Sequence, residues 1–312
     1  MKRRVIRQGH GTFTITLPKK WCEQQGIQPG DEIEVEIEED CLRVSSEPKK
    51  KGSKIHIDIT GLDRCSILYS IRNAYRMGYD VIELTFENSS TVYYRTLESV
   101  SVLSVVHYEV NNLIGVEVIH QTSNSCTIKD ISSPSSEEFE TILRRIFILM
   151  TQTAEDLVSG IENFDLDLVR TTEEKHDTIT KFVSYCLRLI NKRRDIPYKQ
   201  HALVYHIIAN IDKIVDIFKY TARNFLYYNK PMGKHSIELM KQMVHSLKLY
   251  YEFFYKFDSN KVVEIDKNRD DVLRKIKQGY NLLTKEEMLI ITNFEQTLEL
   301  LADLVVSRMG LE

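Results

Sequence analysis

Cysteine is scarce and shows no pairing pattern: Cys22, Cys41, Cys65, Cys126 and Cys186 are odd in number, scattered, and never spaced C-x-x-C. That argues against a disulfide scaffold and predicts reduced, mostly core thiols in a cytoplasmic protein. Glycine and proline are also few, 12 and 6 in 312 residues, and the 42% hydrophobic and 28% charged content is that of an ordinary globular chain. No apolar run approaches the roughly 18 residues of a membrane span, so no membrane insertion is expected. The basic start Lys2-Arg3-Arg4 looks like the head of a secretory signal, but Gln8-Gly9-His10-Gly11 follows where an apolar stretch is required. An excess of one charge is missing too. The net charge is only −3, so any surface for nucleic acid must be local. H-E-x-x-H, a P-loop and G-x-S-x-G are all absent, and no enzyme is expected.

Acidic pairs in helical spacing are present. Glu173/Asp177, Asp212/Asp216, Asp266/Asp270 and Glu299/Asp303 are each separated by four residues, in segments that read as long helices. Four residues apart on a helix is one face, so each pair repels itself by a few tenths of a kcal/mol, roughly, until something positive sits between. A metal ion would serve, and so would neighbouring lysines and arginines.

The length allows two or three domains, and two polar breaks divide the chain. The first is Ser46-Glu47-Pro48-Lys49-Lys50-Lys51-Gly52-Ser53. The second is Ser132-Ser133-Pro134-Ser135-Ser136, where Ser135 and Glu138 have capping-box spacing ahead of the apolar run Ile142 to Met150. Before the first break, Thr12 to Leu17 alternates as a strand, Lys19 to Gln25 fits a short helix stopped at Gly26, and Ile33 to Val44 reads as a hairpin turning near Glu39-Asp40. Fewer than fifty residues cannot close a core, so a partner chain is expected. Its first 22 residues carry basic groups and no acid. Such a cluster can hold phosphates in a salt-dependent way, or can simply be solvated on a dimerisation module.

Between the breaks, strands Ile55–Ile59, Val81–Phe86, Gly115–His120 and Cys126–Ile131 alternate with helical stretches Asp63–Met77 and Arg95–Glu109. This predicts a small α/β domain over 54–131, with a ferredoxin-like arrangement as one option. From Ser135 onward only helices are legible, broken near Asn163-Phe164-Asp165, Arg194 to Pro197, Asn229 to Gly233, Asp258-Ser259 and Gly279. The six helices divide into two three-helix units, about 135–230 and 233–310, each with one acidic pair on its second helix and one on its third. The aromatic stretch Tyr250 to Tyr255 reads as core or as an interface for a partner, and His176 reads as a surface histidine.

The run Leu17-Pro18-Lys19-Lys20-Trp21, followed by Gly26-Ile27-Gln28-Pro29-Gly30-Asp31-Glu32-Ile33-Glu34-Val35, resembles the AbrB/SpoVT/MazE swapped-hairpin DNA-binding family. The resemblance covers about residues 1–46, with Gly9 to Leu17 as the first strand. It implies a homodimer of interleaved hairpins that touches DNA through Arg3, Arg4, Arg7, Lys19 and Lys20. The four Glu/Asp-x-x-x-Asp motifs over 135–312 resemble the PhoU family of phosphate-uptake regulators, with its two three-helix bundles. That resemblance implies a divalent or ferric metal ion on Glu173, Asp177, Asp212, Asp216, Asp266, Asp270, Glu299 and Asp303. The whole then resembles archaeal PhoU-type regulators with a fused DNA-binding domain. The expected function is DNA-binding regulation of phosphate uptake; the alternative is an accessory protein that docks on a phosphate transporter ATPase or a sensor kinase, its N-terminal domain serving only dimerisation. No residue set in the sequence suggests a phosphate pocket.

Overall fold

The computed structural model describes residues 2–9, 11–38, 41–46, 52–132, 137–192, 198 and 200–312. Two compact units divide at Gly52/Ser53.

In the N-terminal unit, β1 (Ile6–Gln8) pairs antiparallel with β2 (Thr12–Thr14), Arg7 facing Phe13. The expected single strand from Gly9 to Leu17 is therefore cut short. Gly9 and Gly11 take φ of 69° and 140°, a region that favours glycine, and they form the turn between the two strands. Next comes α1 (Lys19–Gln25), stopped by Gly26 in the left-handed region with its N–H bonded back to Cys22 and Glu23. β3 (Ile33–Glu38) and β4 (Cys41–Ser46) form an antiparallel hairpin that pairs Val35 with Val44 and Ile37 with Leu42. The turn predicted at Glu39-Asp40 lies outside the described residues, as does most of the first break.

The second unit begins with β5 (Lys54–Asp58), α2 (Arg64–Arg76) and β6 (Val81–Thr85). Asp63 caps α2 by accepting from the N–H groups of Cys65 and Ser66. A hairpin follows, β7 (Ser90–Tyr93) and β8 (Glu98–Ser101), then α3 (Val102–Asn111), β9 (Val116–Gln121) and β10 (Ser125–Asp130). The predicted helix from Arg95 is thus a hairpin in its first half. Ser101 accepts from the Ser104 N–H and sets the helix start at Val102. The sheet order is β5-β6-β10-β9, with β5 and β6 parallel and the other pairings antiparallel. A ferredoxin-like sheet would place another strand between the two strands of the βαβ unit, so that option is not what forms. Ile82 and Leu84 alternate inward along β6 and are buried with Ile67, Ile71 and Tyr75 of α2.

Six long helices complete the chain: α4 (Glu137–Glu162), α5 (Leu166–Lys192), α6 (His201–Tyr228), α7 (Lys234–Tyr255), α8 (Ser259–Gln278) and α9 (Lys285–Met309). None is long and apolar enough to cross a membrane among the described residues. Their order is the expected three plus three, and α4, α6, α7 and α9 share one continuous core. The aromatic stretch of α7 is core as predicted, with the Phe147 and Phe254 ring centroids 4.6 Å apart. Thr284 and Glu287 make a full capping box at the start of α9. The equivalent prediction at Ser135 lies outside the described residues.

The α/β layer is fastened to α5 by buried charge. Arg188, 2% exposed, donates to the Tyr75 carbonyl at 2.7 Å and to Asp130 Oδ2 at 2.7 Å, with its guanidinium over the Tyr75 ring. One turn on, Lys192 reaches both Asp130 and Asp80. Burial works to raise the Asp130 carboxyl, but bonds from Lys192, Ser132 and Arg188 outweigh it and hold it well below the usual carboxylate range. Removing one partner from such a pair leaves a buried charge unmatched. Asp130→Ala is therefore expected to cost about 3–5 kcal/mol, measured by urea unfolding followed by circular dichroism. A loss under about 1 kcal/mol would show that the seam does not hold the layers together.

Candidate functional site

The sequence-predicted DNA residues are exposed and close in the chain. Arg3 and Arg4 precede β1, Arg7 sits within it, and Lys19 and Lys20 form the first turn of α1. Cations at a helix N-terminus oppose its dipole, so Lys19 and Lys20 are not placed there for helix stability. Lys19 has one loose ion pair, to Glu23 at 3.8 Å, with both side chains largely exposed. No described side chain of this unit is buried. Phe13 is 69% exposed and Ile37 87%, although both belong to alternating apolar faces. A hairpin whose apolar face points at water is an unfinished core.

The acidic motifs fall where the repeat predicts them, and the first bundle brings four of the eight residues to one cleft. Glu173 and Asp177 on α5 face Asp212 and Asp216 on α6, with α2 laid across them. Each carboxylate already has a protein partner. Arg76 of α2 donates to Asp212 Oδ2 at 2.9 Å and to Ser184 Oγ at 3.0 Å, while Thr180 donates to Asp212 Oδ1 at 2.9 Å. Lys219 reaches Asp216 at 2.7 Å, and Arg223 pairs with Glu173.

His176, which the sequence presents as a surface residue, is buried between two of these carboxylates. Its Nδ1 lies 2.8 Å from Asp177 Oδ1 and its Nε2 lies 2.9 Å from Asp216 Oδ1. Only the α5–α6 packing makes this visible, because Asp216 is forty positions away in sequence. Burial and nearby Lys219 push the imidazole toward neutrality, but the bonds to Asp177 and Asp216 outweigh them and raise its pKa. Asp177 is lowered by its bond to His176. Asp216, despite burial, is held well below the carboxylate range by His176 and Lys219.

In the second bundle a single residue links the two motifs. Arg269 of α8 donates to both oxygens of Glu299 on α9 at 2.6 Å and lies 3.2 Å from Asp270. Asp266 and Asp303 are exposed.

These residues do not, as they stand, form a metal centre. Among the described residues no group of three or more His, Cys, Asp and Glu is placed to hold an ion. Glu173 and His176 have the Glu-x-x-His spacing found in di-iron bundles, yet Glu173 is taken by Arg223 and His176 by two aspartates. In the first bundle a cation would have to displace the arginines and lysine already seated, so the charge among its acidic pairs is supplied by the protein itself.

A family match covers the N-terminal unit alone. Residues 6–54 match the family described as antidote-toxin recognition MazE, bacterial antitoxin. No curated protein shows significant similarity to the chain. Solved structures with some likeness include a putative PhoU-like phosphate regulatory protein from Shewanella oneidensis, at 13% identity over 55% of this chain and 96% of that one, with a TM-score of 0.42. PhoU from Pseudomonas aeruginosa gives 16% identity over 56% and 92%, with the same score of 0.42. A second PhoU-like protein from Shewanella oneidensis gives 10% over 58% and 94%, at 0.38.

The raised His176 pKa fixes the sign of a pH effect. A group whose pKa is raised by folding stabilises fully below its free value of 6.5, and that contribution is lost as pH climbs through the folded value. The melting-temperature gap between the native protein and His176→Gln should therefore be widest below pH 6.5 and shrink as the pH rises above it. A gap that stays flat, or widens with pH, would mean the imidazole is not held charged.

Proposed function

We propose that this protein is a non-enzymatic, cytoplasmic, DNA-binding regulator of phosphate uptake, in which the helical half senses state or docks a partner. The observation that carries the DNA part is the match of residues 6–54 to a MazE-type domain, on a unit in which Arg3, Arg4, Arg7, Lys19 and Lys20 are all exposed. The phosphate part rests on the four repeat-matched acidic motifs resembling the PhoU family. Phosphate contacts by Arg3, Arg4, Arg7, Lys19 and Lys20 would supply salt-dependent affinity.

The unit acts as a homodimer. Phe13, Val35, Ile37 and Leu42 present apolar surface that a second copy would cover, and a two-stranded hairpin with its apolar face exposed is not stable alone. Ile37→Asp should shift the protein from dimer to monomer in sedimentation velocity. Persistence of the dimer would place the interface elsewhere.

DNA binding is tested by retention of genomic fragments across a salt series, comparing the native protein with Arg3/Arg4/Arg7→Ala. Selective retention is expected in the native protein. In the variant, the slope of log affinity against log salt should fall by about 0.9 for each phosphate that is no longer neutralised. Retention that is identical in the two proteins, or absent in both, would favour the second reading, in which the N-terminal unit only dimerises. The helical half would then be the working end, docking on a transporter ATPase or a sensor kinase.

A further inference from the structure

A cleft of about 800 Å³ opens between α2, the β7–β8 hairpin and the motif faces of α5 and α6. Although it is built on the acidic motifs, its charge is positive: seven arginines and lysines line it against four carboxylates, and with Arg72 matched from behind by buried Glu109 an excess of two remains. The carboxylates are neutralised as described above, and a surplus of cations remains.

Arg64 is the clearest of these. Its guanidinium lies 4.5 Å from the centroid of the Tyr93 ring and 5.1 Å from that of Tyr108. Among the described residues no carboxylate comes within ion-pair distance of Arg64 or of Arg95, which lies 6.0 Å from the Tyr93 ring. Lys213 reaches Asp216 only at 3.7 Å, and Asp216 is already held at 2.7 Å by Lys219. Ring faces position a guanidinium without neutralising it, and beyond the bond Arg64 makes to the Tyr108 hydroxyl its five-donor fork has N–H groups left for a ligand. Arginine forks held in this way suit phosphate oxygens, which they take two at a time.

Size and lining narrow the class of anion. A volume of about 800 Å³ is that of a site for a cofactor-sized molecule and leaves inorganic phosphate mostly unenclosed. Tyr220 is exposed on the cleft wall, its ring 5.2 Å from Lys219 Nζ and 5.9 Å from the Arg223 guanidinium. An exposed ring beside cations can take a stacked base next to its phosphates.

We infer that this cleft binds a nucleotide carrying two or more phosphates, with the phosphates on Arg64, Arg95 and Lys213 and the base against Tyr220. The site lies wholly within residues 53–312, so it stands or falls independently of DNA binding by the N-terminal unit. A nucleotide is opposite in charge to the metal ion that the resemblance implies at the same first-bundle motifs. Arg76, which ties α2 to Asp212 in the wall of the same cleft, would feel the added phosphates directly.

The test is isothermal titration of the full-length protein with ATP, GTP, ADP, AMP, inorganic tripolyphosphate, inorganic phosphate and manganese chloride. At least one nucleoside di- or triphosphate should bind, with AMP and inorganic phosphate about tenfold weaker or worse. Arg95→Ala and Lys213→Ala alter exposed side chains, and each should weaken that binding by about tenfold. Arg269→Ala, on the second bundle, should leave it unchanged. Tyr220→Ala should weaken nucleotide binding but not tripolyphosphate binding. Tripolyphosphate binding as tightly as the nucleotide would overturn the nucleotide assignment. Binding of no phosphate compound, binding indifferent to Arg95→Ala and Lys213→Ala, or binding of manganese alone would overturn the site altogether.

Discussion

Arg188 must find acceptors inside the protein, because a guanidinium that is 2% exposed keeps almost no water. It finds them in the Tyr75 carbonyl and Asp130, and both belong to the α/β layer. That requirement sets where α2 lies. Once the end of α2 is tied to α5 at Tyr75, Arg76 comes to Asp212 and Ser184 one position later. The motif face of the first bundle is thereby covered by an arginine-bearing helix, whereas the second bundle settles its own motifs through Arg269. The two repeats share a sequence pattern and differ in what answers it.

Much of the fold was legible, for reasons that can be traced to particular residues. The long helices showed themselves through periodic apolar positions and breaks such as Asn229 to Gly233, where the chain leaves helical geometry with Asn229 at positive φ. The Lys19–Gln25 helix was announced by Pro18 before it and Gly26 after it. The misreadings occurred where local pattern was ambiguous. Arg95 to Ser101 carries enough helix formers to pass as the start of α3, and the turn depends on Leu97 at φ 58°, a conformation that residue type does not advertise. The order of the strands depends on which pair meets across β6 and β10, a long-range choice that spacing does not encode.

The candidate sites divide in the same way. The basic N-terminal end is contiguous and could be read directly. The acidic pairs could be read as a demand for positive charge, but their sources could not. Arg76 lies 136 positions from Asp212, and Arg223 lies 50 from Glu173. Each of these cations, taken alone, resembles any solvated side chain on a helix. His176 was misjudged for the same reason, since its second carboxylate arrives from a different helix. The cleft that results is a property of three elements packed together, not of any one segment.

The N-terminal unit offers a different kind of consequence. If it pairs as proposed, a unit none of whose described side chains is buried within its own chain would draw stability from association, and such stability rises with chain concentration. On that reading the number of ordered N-terminal units would rise more steeply than in proportion to protein abundance, while the helical body has a continuous core of its own. Expression level itself would then become an input: a cell holding few copies would contain the folded helical body without a paired N-terminal unit, and a cell holding many would contain both.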